Sequence, residues 1–353
     1  MKTASPEGVR AFCEVPFDFV DAKVRGRRGR LCEGRRLREL CRERTVADLA
    51  LRLYPSLDVH ERLGLERRIM AGCVSELASF LVYLAEPHHA FFLSLLDRYV
   101  VEDLKALLRL AGGQGSPAGA TLDPGDYLIE LPPQLELPVE SLLASESVEV
   151  FVGRIPLASV RECAQQALPL YGETRRRAYL EMAFDKGFWA NVWEALARLP
   201  AGEPEQCWEP LRYEFDAMRL LGTLRAAGVY GMPWEQLHAL LPVGPGRIGV
   251  EALHRVHAAP TLEVALEAAP WMGRALVGLA EPEGPPDLGR LEEGLWREVV
   301  RLANRQYYTQ LGGPAVLVSY HYLKRAEMRH LFTLTQMLRY GAQEEEIADV
   351  LGV

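Results

Sequence analysis

The chain has 353 residues and a formal net charge of −8, and its 49% apolar and 25% charged residues are the proportions of an ordinary globular protein. No run reaches the roughly 18 consecutive apolar residues that a membrane-spanning helix needs, and the N-terminus lacks a hydrophobic signal core, so we expect a soluble protein. The six cysteines are scattered with no CxxC pair, which is typical of reduced thiols in a cytosolic protein.

Helical patterns dominate the chain, and stretches rich in Gly and Pro separate them. An irregular N-terminal extension is expected over residues 1–16, and the clearest loop is 112–138. Strand signal is limited to at most a short extended piece near 127–131. The fold class is therefore predicted to be all-α. Helical segments are expected, in chain order, over 17–53, 61–86, 88–112, 139–152, 157–168, 173–199 and 206–227, near 234–241, and as a long pair after the loop 281–289.

Three segments of the chain share one helical pattern. In each, a polar residue is followed three positions later by another polar residue, then by Leu and a short apolar run; the segments are 98–113, 213–228 and 324–341, aligned on Leu104, Leu220 and Leu331. A period of just over a hundred residues is typical of a repeat architecture. It predicts a pseudo-symmetric scaffold of three helical units, at 17–113, 114–229 and 230–353, rather than a single catalytic cleft.

A second pattern lies upstream of each segment. A Leu or Val is followed, after four residues, by a Thr or Ser and an aliphatic residue, at Thr45, Ser147 and Thr261. Asp48 lies three positions after Thr45, the spacing of a capping box. Glu149 and Glu263 each lie two positions after the other two, which suits the positive end of a new helix. Each unit is thus expected to contain a helix, a break, a capped helix and a long helical pair.

Local motifs for catalysis, cofactors or metals are weak. The sequence GPGRIG at 244–249 matches the dinucleotide pattern GxGxxG, but it follows a helix, contains Pro245 and has no βαβ unit, so a turn is predicted. His254 and His257 have a metal-ligand spacing with Glu251, but no other ligand converges on them. The chain has no phosphate loop and no GxSxG serine. We predict a non-catalytic protein without cofactor or metal; an α-helical enzyme whose site forms only in three dimensions is the remaining enzymatic alternative.

Polar residues recur on one stripe of the repeated helix, because spacings of three and then six residues return to the same face. The simpler interpretation is a set of intrachain salt bridges between adjacent helices. The functional interpretation is a polar lining of a central surface on which equivalent stripes converge and contact a partner. The stripe consists of Val100, Asp103 and Arg109 in the first copy, Asp216, Arg219 and Arg225 in the second, and Glu327, His330 and Gln336 in the third.

Residues 23–44 hold ten Lys or Arg against three Glu, a local charge of +7 in an acidic chain. Such asymmetry is typical of a segment that faces an acidic partner, a nucleic acid or a membrane surface, or of a solvated helix face. An alternative function is therefore a helical-repeat scaffold that binds nucleic acid or protein through 23–44. The sequence pI of about 5.6 and the lack of aromatic residues in this segment argue against nucleic acid.

Three stretches resemble the C/AC39 family of V/A-type ATPases, which comprises the stalk-to-ring adaptor of the bacterial and archaeal enzymes and its eukaryotic counterpart. They are FDFVDAKVRGRRGRL (17–31), YEFDAMRLLGTLR (213–225) and VLVSYHYLKRAEMRHL (316–331). The chain departs from the family pattern where an Asn or Asp is typical; these positions hold Asp21, Asp103, Arg219 and His330 in place of Asn, and Val100 in place of Asp.

The resemblance implies an all-helical funnel of three similar subdomains that acts in a rotor and has no catalytic role. In that family the protein caps the membrane proteolipid ring on the cytoplasmic side and receives the tip of the central stalk, transmitting torque for ion transport or ATP synthesis. We therefore expect stalk and ring proteins as partners, a peripheral cytoplasmic location, no membrane insertion and no nucleic acid. The candidate partner contacts are Arg25, Arg27, Arg28, Arg109, Asp216, Arg219, Arg225, Glu327 and His330.

Overall fold

The computed structural model describes residues 17–55, 64–111, 127–259, 261–267, 269–272 and 287–353. These residues form sixteen α-helices and no strand, which confirms the predicted all-α class. The predicted extension 1–16, most of the loop 112–138 and nearly all of the loop 281–289 lie outside them. The helices are α1 Phe17–Arg28, α2 Arg35–Leu40, α3 Val46–Leu53, α4 Leu65–Ala78, α5 His88–Ala111, α6 Val139–Leu143, α7 Val148–Gly153, α8 Ala158–Thr174, α9 Ala178–Ala197, α10 Glu203–Gly228, α11 Trp234–Leu240, α12 Val250–Ala258, α13 Leu262–Glu267, α14 Leu288–Thr309, α15 Pro314–Arg339 and α16 Glu344–Leu351.

The three repeated segments occupy the C-terminal parts of the three longest helices. These are α5, α10 and α15, of 24, 26 and 26 residues. The aligned leucines Leu104, Leu220 and Leu331 are all buried. The shared sequence pattern therefore marks the same kind of position, a buried point on a long helix, in all three copies.

The second pattern marks helix N-termini. The hydroxyl of Thr45 accepts a hydrogen bond from the Asp48 N–H at 3.1 Å, and Ser147 accepts one from the Val150 N–H at 3.3 Å. Thr261 accepts one from the Val264 N–H at 3.4 Å. Each side chain thus satisfies one backbone donor in the first turn of a short helix, which confirms the predicted caps.

The long helices pack in a cyclic order. Helix α5 packs against α9, the helix that precedes α10, and α10 packs against α14, the helix that precedes α15. Helix α15 packs against its own predecessor α14 and also against α4, the helix that precedes α5. The packing therefore crosses the expected unit boundaries at 113 and 229, while the boundaries themselves stay a prediction from the repeats.

Two clusters of buried apolar side chains stabilise this arrangement. The larger one runs from Val20 in α1 to Ala326 in α15 and includes residues of all three long helices. The smaller one joins the N-terminal helices α2, α3 and α4 to the end of α15 and to α16, with Leu49, Leu65 and Ile347 among its members. The first and last described helices are therefore parts of one packing unit.

Helix boundaries differ from the prediction where proline and loop signals were ambiguous. The pattern ended a helix at 168, before Pro169, whereas α8 continues to Thr174. Pro169 is exposed, so water can satisfy the carbonyl group that lacks its usual N–H partner. None of the described helices is long and apolar enough to cross a membrane.

Candidate functional site

The three long helices meet at a buried cluster of charges. Arg98 of α5, Glu214 of α10 and Arg325 of α15 each lie six residues before the aligned leucine of their own repeat. One carboxylate oxygen of Glu214, Oε1, lies 3.0 Å from Arg98 Nη2 and 2.9 Å from Arg325 Nη2. Its other oxygen, Oε2, accepts a hydrogen bond from the Tyr322 hydroxyl at 2.7 Å. Equivalent positions of the three repeats are thus in direct contact, and we name these three residues the central triad.

Glu214 is ionised in this environment. Burial alone would raise its pKa, but the guanidinium groups of Arg325 and Arg98 outweigh that effect and hold the pKa at about 2. Both oxygens of the carboxylate are already in contact with donors. One negative charge is therefore shared between two positive charges.

Aromatic rings surround the two guanidinium groups. The Arg98 guanidinium carbon lies 4.7 Å from the ring centre of Phe188, and that of Arg325 lies 4.7 Å from the ring centre of Trp296. Such contacts stabilise a cation at the ring face without neutralising it. Nη1 of Arg325 is buried and has no hydrogen-bond acceptor among the described residues.

Two open cavities adjoin the central triad. One has a volume of about 350 Å³ and lies between α5, α9, α10, α14 and α15; the other, of about 410 Å³, lies between α4, α5, α15 and the segment 127–129. Arg98 and Arg325 line both, together with Arg329, which pairs with Glu293 at 3.1 Å. We call the two cavities together the central cleft. The larger part of its wall beside α10 is apolar and includes Met182, Met218, Leu221, Leu240, Leu295 and Val299.

Two of the predicted stripe residues hold a loop instead of lining the cleft with free charge. Asp216 is fully buried and accepts hydrogen bonds from the N–H groups of Arg247 at 2.7 Å and Ile248 at 3.3 Å. Arg219 is 5% exposed and donates to the Ile248 carbonyl at 2.8 Å. The sequence GPGRIG is therefore a loop fixed on α10, in agreement with the predicted turn.

Glycine is required in this loop because the chain passes very close to α10. A Cβ atom at Gly246 would lie 2.2 Å from Asp216 Oδ1 and 3.0 Å from the Phe215 ring. We expect Gly246→Ala to lower the free energy of unfolding by about 1–3 kcal/mol, because the loop must move away and weaken its bonds to Asp216. Chemical denaturation measures the change. The matched control is Gly249→Ala in the same loop, where a Cβ meets no atom within 4 Å; an equal loss in both variants would contradict this account.

Acidic residues in the other two repeats make similar contacts. Asp103 of α5 accepts from the Ile129 N–H at 3.0 Å, and Glu327 of α15 accepts from the Cys32 N–H at 2.6 Å. With Asp216, each long helix therefore uses one carboxylate to hold the backbone of an irregular segment. Glu327 also pairs with Lys324 at 2.6 Å.

The other stripe candidates are also engaged within the chain, apart from His330. Arg109 donates two hydrogen bonds, both of 2.9 Å, to the carboxylate of Glu181 on α9, and Arg225 pairs with Glu292 on α14. His330 lines a separate cavity beside α16, and burial lowers its pKa. These contacts match the intrachain interpretation, and partner binding by these residues stays a proposal.

The Arg-rich segment is divided between internal contacts and exposed charge. Arg25 donates to the carbonyl groups of Gln310 and Leu311, and Arg27 donates to the Glu76 carbonyl and to Ser79 Oγ. Arg28 contacts Glu33 and Asn304. Four exposed arginines have no hydrogen bond or ion pair with described residues: Arg30, Arg36, Arg38 and Arg44.

The histidines with metal-ligand spacing pack against an aromatic ring. The ring centres of His254 and His257 lie 4.7 and 5.6 Å from that of Trp234, and His238 stacks on the same ring. His257 Nε2 lies 2.8 Å from the Met232 carbonyl oxygen. Within the described ranges, no group of three His, Cys, Asp or Glu side chains has the geometry of a metal site.

Asp97, next to Arg98, is a buried acid with a perturbed proton affinity. Burial raises its pKa to about 7, although the Asn191 side chain donates a hydrogen bond to it at 2.9 Å. Because the folded protein prefers the protonated form, the free energy of unfolding should fall as pH rises from about 4 through 7. We expect Asp97→Asn to raise stability at pH 8, by about 2 kcal/mol, and to change it little at pH 5.

Thermal unfolding at pH 5, 6.5 and 8 tests this expectation. The control is Asp349→Asn on the exposed surface of α16. A gain for Asp97→Asn that is the same at all three pH values would show that the buried carboxyl does not titrate in this range.

The sequence carries a signal for the central triad in a column that the polar stripe leaves out. The aligned segments begin at or next to Arg98, Glu214 and Arg325, so one column of the alignment holds two arginines and one glutamate. Opposite charges at equivalent positions of a pseudo-symmetric repeat indicate contact near the axis. The stripe instead uses the positions four and one before the leucine, and five after it, whose residues mainly hold loops or bridge adjacent helices.

The whole-chain comparison decides the family. The family model of the ATP synthase (C/AC39) subunit matches residues 20–350. The chain belongs to this family. No curated protein gives a significant match to it. The resemblance expected from the three sequence stretches is thus confirmed, and the chain is a C/AC39-type component of the V/A-type rotary ATPases.

Proposed function

We propose that this C/AC39 protein is a non-catalytic rotor component that joins the central stalk to the membrane proteolipid ring. In this proposal the central cleft is the socket that receives the tip of the stalk. The convergence of α5, α10 and α15 on the central triad, with an open cavity on each side of the two arginines, is the observation that supports it.

The cyclic helix packing suits the transmission of torque. A load applied to any one long helix passes to the helix preceding the next one, and from α15 to α4. Because protein interiors are close-packed and hardly compressible, such a wall deforms little under load. Rigid coupling needs interfaces of roughly 1,000 Å² or more, which a pseudo-three-fold adaptor can present to both partners. This role places the protein on the cytoplasmic face of the membrane and requires no catalytic residue.

Affinity capture from detergent-solubilised membranes of the host tests the proposal. The tagged chain should recover central-stalk and proteolipid proteins, identified by mass spectrometry, while untagged host membranes yield neither. Recovery of nucleic acid or unrelated proteins, with the chain intact and neither ATPase component present, would reject the coupling role in favour of the scaffold alternative.

Site-specific cross-linking tests the socket itself. A photoreactive residue in place of Met218, on the apolar wall of the cleft, should cross-link to a stalk protein in the assembled complex. The same residue in place of Val150, which is 39% exposed on α7 and does not line the cleft, is the control. Cross-links from the Met218 position to a ring protein would assign the cleft to the other partner.

A further inference from the structure

The charge balance of the central triad differs from that of the neighbouring ion pairs. Arg109 has Glu181 to itself, Arg225 has Glu292, and Lys105 lies between Asp185 and Glu102 at 2.7 and 3.0 Å. Arg98 and Arg325 share a single carboxylate, and no second carboxylate contacts either guanidinium among the described residues. The triad therefore has one positive charge in excess.

Part of this excess charge is accessible from the cleft. The Arg98 side chain is 22% exposed and uses only Nη2 in its contact with Glu214, so its other nitrogen donors are available on the cleft side. Arg329, on the same wall, is 37% exposed. The aromatic rings behind Arg98 leave the guanidinium in place and charged.

The dimensions of the cleft limit what can reach these donors. An α-helix about 10 Å across occupies roughly 400 Å³ for each turn. Each cavity, at about 350 and 410 Å³, therefore holds the side chains of about one turn. The occupant is the end of a helix or the tip of a loop, and not a helix that passes through the protein.

We infer that the segment inserted in the central cleft presents a carboxylate to Arg98, completing the triad as two arginines and two carboxylates. The inference rests on the proposed function, since the occupant is the tip of the central stalk. A charged pair between guanidinium and carboxylate in such a partly desolvated site fixes orientation as well as affinity. A helix that ends in the cleft would add the negative end of its dipole to the same effect.

The test compares three variants of the full chain in binding to the recombinant central-stalk proteins of the same host. Arg98→Gln leaves Glu214 paired with Arg325 and Tyr322, so the fold is kept, and circular dichroism checks this. We expect Arg98→Gln to weaken binding roughly tenfold and to reduce the salt dependence of the Kd, because one charge pair is lost. Arg98→Lys should restore most of the affinity, since it keeps the charge.

The matched control is Arg198→Gln, an exposed arginine beyond the end of α9 that lines neither cavity. It should bind like the wild type. If wild-type chain binds the stalk and Arg98→Gln binds equally well, or if Arg98→Lys is as weak as Arg98→Gln, the carboxylate contact is wrong while the coupling role stands. If wild-type chain binds no stalk protein at all, the coupling role fails first.

Free anions and the ring provide the remaining arms. Stalk binding by the wild type should resist acetate at the same ionic strength as chloride, because a single tethered carboxylate is already placed. Loss of ring capture with unchanged stalk binding in Arg98→Gln would assign the arginine to the proteolipid side and overturn the inference.

Discussion

Glu214→Gln is expected to lower the free energy of unfolding by about 3–5 kcal/mol, the largest effect of any single change at the central triad. The substitution keeps the shape of the side chain but leaves two buried guanidinium groups without their shared counter-charge. It also weakens the hydrogen bond from Tyr322. Urea denaturation at pH 7 measures the loss, and Glu205→Gln, an exposed residue in the first turn of the same helix, is the matched control.

The pH dependence of stability provides an independent check. The pKa of Glu214 is held at about 2 in the folded protein, below its ordinary value of 4.5. Its contribution is therefore complete above about pH 4.5 and is lost as pH falls towards 2, because protonation removes the charge that both arginines contact. Glu214→Gln should flatten this part of the acid unfolding curve. An unchanged curve would show that the triad contributes no net stability.

Gly187→Ala is expected to lower stability by about 3 kcal/mol or more. Helices α8 and α9 approach most closely here: a Cβ atom on Gly187 would lie 2.4 Å from Val160 Cα and 2.6 Å from the Ser159 carbonyl oxygen. These are backbone atoms, so no side-chain rotation relieves the clash and the two helices must separate. Thermal unfolding measures the loss.

A glycine on the neighbouring helix gives a control of opposite sign. Gly172 of α8 is exposed, and a Cβ there meets no atom within 4 Å. Gly172→Ala should therefore stabilise the protein by up to about 1 kcal/mol through its higher helix propensity. A loss in both variants would point to general sensitivity of α8 and α9 rather than to close backbone contact.

Much of the fold could be predicted because its signals are local. The period of the apolar residues identified the long helices, and the hydroxyls of Thr45, Ser147 and Thr261 marked helix starts that the structure shows as hydrogen-bonded caps. The break before α5 and the turn at GPGRIG followed from proline and glycine, whose backbone preferences act without tertiary context.

The site was harder to predict because it depends on which helix faces which. Periodicity placed Asp216 and Arg219 on a polar stripe, but only the packing of the 244–248 segment on α10 shows that they are buried beneath it. The same helix places Glu214 two positions before Asp216, on the face towards α5 and α15. A sequence gives the angle between two residues on one helix, and it does not give the identity of the neighbouring helix.

The shared cluster of α2, α3, α4, α15 and α16 has a consequence for synthesis. Ribosomes release a chain from its N-terminus, and early segments normally begin to fold before later ones exist. Here Leu49 and Leu65 bury their side chains against residues near the end of α15 and against Ile347. The apolar faces of the first helices therefore stay uncovered until almost the whole chain has been translated. During that interval the nascent protein presents a surface that chaperones recognise, and stalled or shortened translation products would be selectively degraded.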